Sequence, residues 1–307
     1  MKISFVIPVF DERDTLEALF NGIVTHAPDE ELEVIFIDDG STDGSTELLR
    51  KLDASESRVT LIELDGNCGK SIALAAGFAK ATGDYVFTMD SDLQDDPAEI
   101  PNFLAKMEEG FDVVCGWKAI RHDPWHKTVP SRFYNWGVGK VFDLPLHDVN
   151  CGYKLFRREV IDNTTIYGEL HRLIPVLAHD RGFRIGEIAV KHKRREFGQS
   201  KYGLERFSKG ALDVLTMWML HTRMKAPGHF FGKIAFVEFA GAIAIGTIAV
   251  FVGRNGRVTA SAVLASAAAI LAGTAVVVFT TGLMLEHMLK HFVRIDPQHF
   301  AKDSKKP

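Results

Sequence analysis

Residues 258–285, VTASAVLASAAAILAGTAVVVFTTGLML, carry no charged side chain. A helix that crosses a bilayer needs about 20 such residues, and this run is too long and too uniformly apolar for a core helix of a soluble domain. A second run, 234–252, IAFVEFAGAIAIGTIAVFV, has near-spanning length and one charge, Glu238. Joined by GRNGR, the two predict a transmembrane helical hairpin with both ends on one side. Arg223, Lys225 and Lys233 precede it and Lys290, Arg294, Lys302, Lys305 and Lys306 follow, against Arg254 and Arg257 in the connector. That bias places both ends in the cytoplasm. Glu238 is read near the headgroups or facing the partner helix, with a proton relay as the alternative.

The hairpin leaves a long N-terminal part to fold in water. Hydrophobic residues are 46% of the chain, enough for a sizeable core, and the net charge of −4 argues against a dedicated nucleic-acid binder. The first apolar run, MKISFVIPVF, is interrupted by Pro8 and stops at acids, too short for a secretory signal and suited to a first strand. The cysteines, Cys68, Cys115 and Cys151, are odd in number and lack metal-ligand spacing, which fits a reducing compartment.

Over the first 115 residues, short apolar runs alternate with helical patterns. ISFVIPV, LEVIFID, VTLIEL, DYVFTM and FDVVCG predict strands, several of them buried on both faces. Helices are predicted over roughly 12–25, 43–53, 69–82 and 97–109, the last opened by Asp96 and Pro97. Strands alternating with helices imply a parallel α/β sheet of βαβ units. From 117 to about 202 the pattern is less regular. Segment 203–225 is amphipathic and reads as a helix on a membrane surface or packed on the soluble domain. The divisions are therefore 1–202, a globular domain; 203–230, juxtamembrane helices; 231–288, two spans; and 289–307, a cytoplasmic tail.

Ligands of parallel α/β sheets bind outside the carboxyl ends of the strands. Here each of four successive strands ends in acids: Asp11 and Glu12, Asp38 and Asp39, Asp65, then Asp90 and Asp92 with Asp95 and Asp96 behind them. Caps and turns account for Asp11, Asp43 and Asp65. They do not account for MDSDLQDDP, where a divalent cation, Mg2+ or Mn2+, is the simplest relief of the repulsion. Gln94 adds a neutral oxygen, and the cluster reads as a metal–diphosphate site. GNCGKS (66–71) is not a P-loop, because Leu64 stands where that motif needs glycine. A glycine turn entering a helix still favours an anion; Lys70 is either its partner or a solvated lysine.

The stretches FVIPVFDERD, FIDDGSTDGS, GKSIALAAGFAKATGDYVFTMDSDLQDDP, DVNCGYKLFRREV and FGQSKYG together resemble glycosyltransferase family 2. Within it, the chain is similar to the membrane-anchored polyprenyl-phosphate glycosyltransferases of the dolichol-phosphate mannose synthase type. The resemblance spans roughly residues 3–225, and the hairpin matches members with two C-terminal spans. It implies an α/β GT-A (Rossmann-like) nucleotide-sugar-binding domain, and inverting transfer of a sugar from a UDP- or GDP-sugar to a polyprenyl phosphate, undecaprenyl or dolichyl. By the same resemblance, Asp39 and the region of Pro8, Phe10 and Glu12 bind the nucleotide, and Asp90, Asp92 and Gln94 match the metal-binding DxDxQ. The chain departs from that pattern after the fifth strand, where Trp117-Lys118 replaces the usual arginine; Lys118, Arg121 and Arg132 are the candidates for phosphate contacts there. No QxxRW motif of processive synthases occurs.

The residue types suit that chemistry. Charge builds on a diphosphate leaving group, which a metal on Asp90 and Asp92 stabilises together with Lys118 or Arg121. A phosphate monoester acceptor is already an anion at neutral pH and needs positioning more than a base. Arg132, Arg194, Arg195 and Lys201 are candidates for that task, Arg132 and Lys201 foremost, so that Asp92, Arg132 and Lys201 are the catalytic candidates. For Arg194 and Arg195 a solvated basic strand or a contact with anionic lipid is the alternative. Asp148 and Asn150 either orient sugar hydroxyls or shape a turn closed by Gly152. His171 either approaches the acceptor phosphate or is a buried structural histidine. Three rivals stand: a nucleotidyl- or phosphotransferase, a non-catalytic nucleotide-sugar-binding protein, and a transferase acting on a neutral lipid such as diacylglycerol, which would need Asp148 or His171 as a base. A homo-oligomer is left open.

Overall fold

The computed structural model describes residues 1–27, 31–119, 125–164, 170–191, 193, 215, 218–219 and 226–292. Of the sequence-derived candidates, Arg121, Arg194, Arg195 and Lys201 lie outside these residues, as do most of the amphipathic segment and the end of the tail. The chain divides into two compact units, Met1–Thr216 and Met217–Pro307.

The first unit is built on a seven-stranded sheet in the order β3-β2-β1-β4-β6-β5-β7. The strands are β1 (Lys2–Val9), β2 (Glu31–Asp38), β3 (Val59–Glu63), β4 (Tyr85–Thr88), β5 (Val113–Trp117), β6 (Lys154–Arg157) and β7 (Ile185–Ala189). β1 is apolar on both faces, with Phe5, Val6 and Ile7 fully buried, as a central strand covered on both sides requires. Its register with β2 runs from Lys2 opposite Glu31 to Val9 opposite Asp38, so both strands deliver their last residues to one edge.

The five strands legible in the sequence all run in one direction. The sheet as a whole is mixed, however, where a parallel one was expected. The short β6 enters between β4 and β5, antiparallel to each. Its run, KLFR, starts and ends on charged residues and gives a weak strand signal; Tyr85 opposite Arg157 and Val113 opposite Phe156 hold it in place.

The helices are α1 (Arg13–His26), α2 (Ser45–Ser55), α3 (Lys70–Lys80), α4 (Ile100–Glu108), α5 (Trp125–Phe142), α6 (Arg158–Asp162) and α7 (Ile174–Asp180), with 3-10 turns at Pro97–Glu99 and Leu170–Leu173. On α1, Leu16, Leu19, Phe20 and Ile23 are buried at i, i+3, i+4 and i+7, the stripe that packs a helix on a sheet. One side of the sheet carries an aromatic core: Phe5 stacks on Phe87 at 4.8 Å between centroids, and Phe103 meets both Phe87 and Tyr153.

The second unit is a helical hairpin, α8 (Pro227–Arg254) and α9 (Val258–Phe292). Both helices are long and apolar enough to cross a membrane, and only 17% and 11% of their most apolar windows are buried. A core helix of a soluble protein would be mostly covered; Phe236, Val237, Phe251, Ile270 and Val277 instead face outward. The unit is membrane-spanning in character. Polar bonds close it at both ends: Gly228 N donates to Glu286 Oε2 (2.9 Å), and Ser261 Oγ donates to Ala249 O (2.7 Å). Glycines set the spacing, since a Cβ on Gly282 would stand 2.6 Å from Phe231 Cβ. Glu238 Oε2 is shielded and has no hydrogen-bond partner among the described residues.

Candidate active site

The loops leaving β1, β2 and β3 are laced together by the acids at the strand ends. Asp11 Oδ1 accepts from Thr42 N at 2.6 Å. Asp38 accepts from Ser41 N (3.1 Å) through Oδ1 and from Thr46 Oγ1 (2.5 Å) through Oδ2. Asp39 N donates to Val9 O, and its carboxylate accepts from Cys68 N (2.7 Å) and Gly69 N (3.0 Å). Asp39 thus shapes the glycine turn from which α3 starts. Burial lifts the Asp39 carboxyl above its ordinary range, more than the two N–H groups lower it.

The β4 loop joins the same edge, where Thr15 Oγ1 lies 2.6 Å from Ser91 O. Leu93 takes φ +59°, a left-handed conformation that a branched side chain seldom adopts and that tends to persist at functional loops. Among the described residues, Asp90, Asp95 and Asp96 each meet a lysine. Lys70 pairs with Asp90, Lys118 Nζ lies 2.8 Å from Asp95 Oδ1, and Lys193 Nζ lies 3.2 Å from Asp96 Oδ2. Asp92 Oδ1 accepts from Gln94 N at 3.1 Å. Ammonium groups therefore relieve much of the repulsion for which the sequence argument invoked a metal.

Burial pushes the Asp90 carboxyl up, but Lys70, Lys118 and the buried Lys154 together hold it far below the usual carboxylate range. Lys118 is held charged well above its ordinary value: burial opposes the charge, and Asp95 leads the groups that outweigh it. Lys154 lies opposite Thr88 and Cys115 in the sheet and reaches Cys151 O. Its role was not legible, because a single lysine in an apolar strand carries no motif. Lys193 likewise stood unremarked in a basic run, yet its N donates to Gln94 O (3.1 Å) and its O accepts from Gln94 Nε2 (3.5 Å).

The remaining candidates that the structure describes are spread over several elements. Pro8 pairs with Ile37 in the sheet, and Phe10 and Glu12 form the turn into α1, with Glu12 N donating to Ser45 Oγ at 3.1 Å. Arg132 is exposed on α5. Asp148 is buried; it accepts from Asn135 Nδ2 (3.3 Å), and its N donates to Glu187 Oε1 (3.1 Å), contacts that shape the turn before β6. His171 N donates to Ser71 Oγ (3.3 Å), and Ser71 Oγ lies 2.8 Å from His171 Nδ1. Ser71 Oγ thus holds both the backbone N–H and the ring of His171. Burial, then Lys70 and Arg172, keep that ring neutral, well below the usual histidine value.

Residues 4–165 match the family model described as Glycosyl transferase family 2. The chain belongs to glycosyltransferase family 2. As a family 2 glycosyltransferase it is 33% identical to the dodecaprenyl-phosphate galacturonate synthase of Rhizobium johnstonii, over 96% of this chain and 90% of that protein. It is 39% identical to the undecaprenyl-phosphate 4-deoxy-4-formamido-L-arabinose transferase of Aeromonas hydrophila, over 70% of this chain and 67% of that one. Among solved structures, the glucosyl-3-phosphoglycerate synthase of Mycobacterium tuberculosis, in complex with Mn2+ and UDP-glucose, matches with a TM-score of 0.56. At 18% identity, over 72% of this chain and 78% of that one, the match establishes the GT-A fold of this glycosyltransferase.

Proposed function

We propose that the protein transfers a sugar from a nucleotide-diphosphate sugar to a polyprenyl phosphate at the cytoplasmic face of a membrane, with inversion and with a divalent cation. One observation carries the reading: an Asp90-Ser91-Asp92 turn at the carboxyl end of β4 shares a chain with an outward-apolar helical hairpin. The long-chain lipid phosphates named for the two relatives support the acceptor, and the basic flanks of the hairpin support the orientation.

The residues suit a hard cation. Asp90 and Asp92 are oxygen ligands two positions apart, and Gly152 leaves room beside Asp90, since a Cβ there would lie 2.7 Å from Oδ1. Among the described residues, no three His, Cys, Asp or Glu side chains gather into a full cage. A two-carboxylate site completed by donor oxygens and water is what Mg2+ or Mn2+ accepts. Such an ion, held by Asp90 and Asp92, would supply Lewis-acid stabilisation of the departing diphosphate. The chain itself supplies the cationic surroundings: Lys70, Lys118 and Lys154 lie about Asp90.

In one displacement, an acceptor phosphate oxygen attacks the anomeric carbon as the bond to the nucleoside diphosphate breaks. The acceptor arrives ionised, so no base is required. A neutral lipid alcohol would need one, and the two candidates for that role are engaged elsewhere: Asp148 is buried and bonded within the turn, and His171 Nδ1 meets Ser71. Arg132 is the proposed phosphate contact on α5, with Arg194, Arg195 and Lys201 as further ones and a uridine donor as the preferred form.

The test uses membranes containing the full chain, undecaprenyl phosphate and a panel of labelled UDP- and GDP-sugars, with and without chelator. A lipid-linked sugar and released nucleoside diphosphate, both lost on chelation, are expected. No lipid-linked product from any donor would overturn the reading.

A further inference from the structure

The Lys70–Asp90 pair differs from its neighbours. Lys118 and Asp95 retain 13% and 0% of their side-chain exposure, which locks that pair into the core. Lys70 and Asp90 retain 22% and 33%, so their contact is open to exchange. Lys70 is the first residue of α3, directly after Gly69, whose φ is +92°. Its ammonium occupies the carboxylate edge on which a divalent cation would sit.

From this we infer that Lys70 is a stand-in counter-ion that makes metal binding depend on the sugar-nucleotide donor. The inference rests on the metal–diphosphate reading above and goes beyond it. A lone divalent ion approaching Asp90 must displace an ammonium and leave it beside a second positive charge. An ion arriving with a diphosphate brings an anion to which the displaced ammonium can move, next to a helix N-terminus that also favours negative charge. A lysine suits this task better than an arginine, because its compact charge rides on a flexible four-carbon stem and needs no fixed fork of acceptors. The exchange keeps the site near charge balance in both states: Lys70 on Asp90 before the donor arrives, Lys70 on the diphosphate afterwards. Metal and nucleotide then bind with positive coupling, and by linkage each raises the affinity for the other by the same factor.

The experiment measures Mn2+ uptake by electron paramagnetic resonance on the detergent-solubilised full chain, without nucleotide and with saturating UDP or GDP. Wild type is compared with Lys70→Met and Lys70→Gln, and thermal melting of each variant confirms folding. In wild type, nucleotide should tighten Mn2+ binding by roughly tenfold or more, within the range usual for coupled sites. In both variants, nucleotide-free Mn2+ binding should become about fivefold tighter or better, and the tightening by nucleotide should shrink. Unchanged or weaker nucleotide-free Mn2+ affinity in both folded variants, with wild type binding normally, overturns this inference alone. No Mn2+ uptake by wild type, even with either nucleotide present, overturns the parent reading and this inference with it.

Discussion

Gly152 is the floor under Asp90: a Cβ built on residue 152 would stand 2.7 Å from Asp90 Oδ1 and 2.9 Å from its Cγ. The two meet because β6 runs antiparallel beside β4, so that the turn entering β6 passes under the loop leaving β4. Gly152→Ala should push the Asp90 carboxylate out of place while leaving the sheet intact. The expected outcome is a weaker metal requirement curve, shifted to higher Mn2+ by about tenfold, the scale at which support of a metal ligand usually acts. Melting temperature together with a metal titration of sugar transfer checks it.

Asp92→Ala removes the second carboxylate of the turn and the acceptor for Gln94 N. Loss of transition-state charge stabilisation on this scale lowers turnover by roughly 100- to 1,000-fold. Formation of lipid-linked sugar is the measurement, and near-wild-type turnover in the variant would refute the assignment of Asp92.

His171 is buried neutral, so the native protein refuses a proton that the unfolded chain accepts below about pH 6.5. The native pKa is depressed for a base, hence the unfolded state binds more protons and stability falls as pH drops below that value. His171→Gln removes this contribution. Its unfolding free energy, measured by chemical denaturation, should therefore fall less steeply than that of wild type between pH 7 and pH 5, by a slope difference of up to about 1.4 kcal/mol per pH unit in the limit of one whole proton. Parallel curves for the two proteins would count against a neutral buried ring.

Cys115 and Cys151 are buried, and burial pushes each thiol up to about 12. Cys68 is exposed on the glycine turn. At pH 8 a thiol-exchange reagent should modify one of the three cysteines in the folded chain and all three in denaturant, since reaction needs accessible thiolate. Mass spectrometry of the modified peptide should place the label on Cys68.

What the sequence determined by itself was whatever depends on local pattern. Apolar runs of strand length, helical periodicity on α1, and a charge-free stretch in α9 are each set by burial against water or lipid; the five strands and α1 appear within a residue or two of their expected bounds, and α9 begins where expected and runs seven residues further, to Phe292. The acids after β1, β2, β3 and β4 could also be assigned to one edge, because parallel strands must end on the same side. Tertiary structure alone decided the partners. The antiparallel insertion of β6, the three lysines on Asp90, Asp95 and Asp96, the buried Lys154 and the Ser71–His171 contact all join residues far apart in the chain. Charge pairing acts over a few ångströms in space and has no period along the chain, so MDSDLQDDP announces a need for positive charge and only the fold says which side chains meet it.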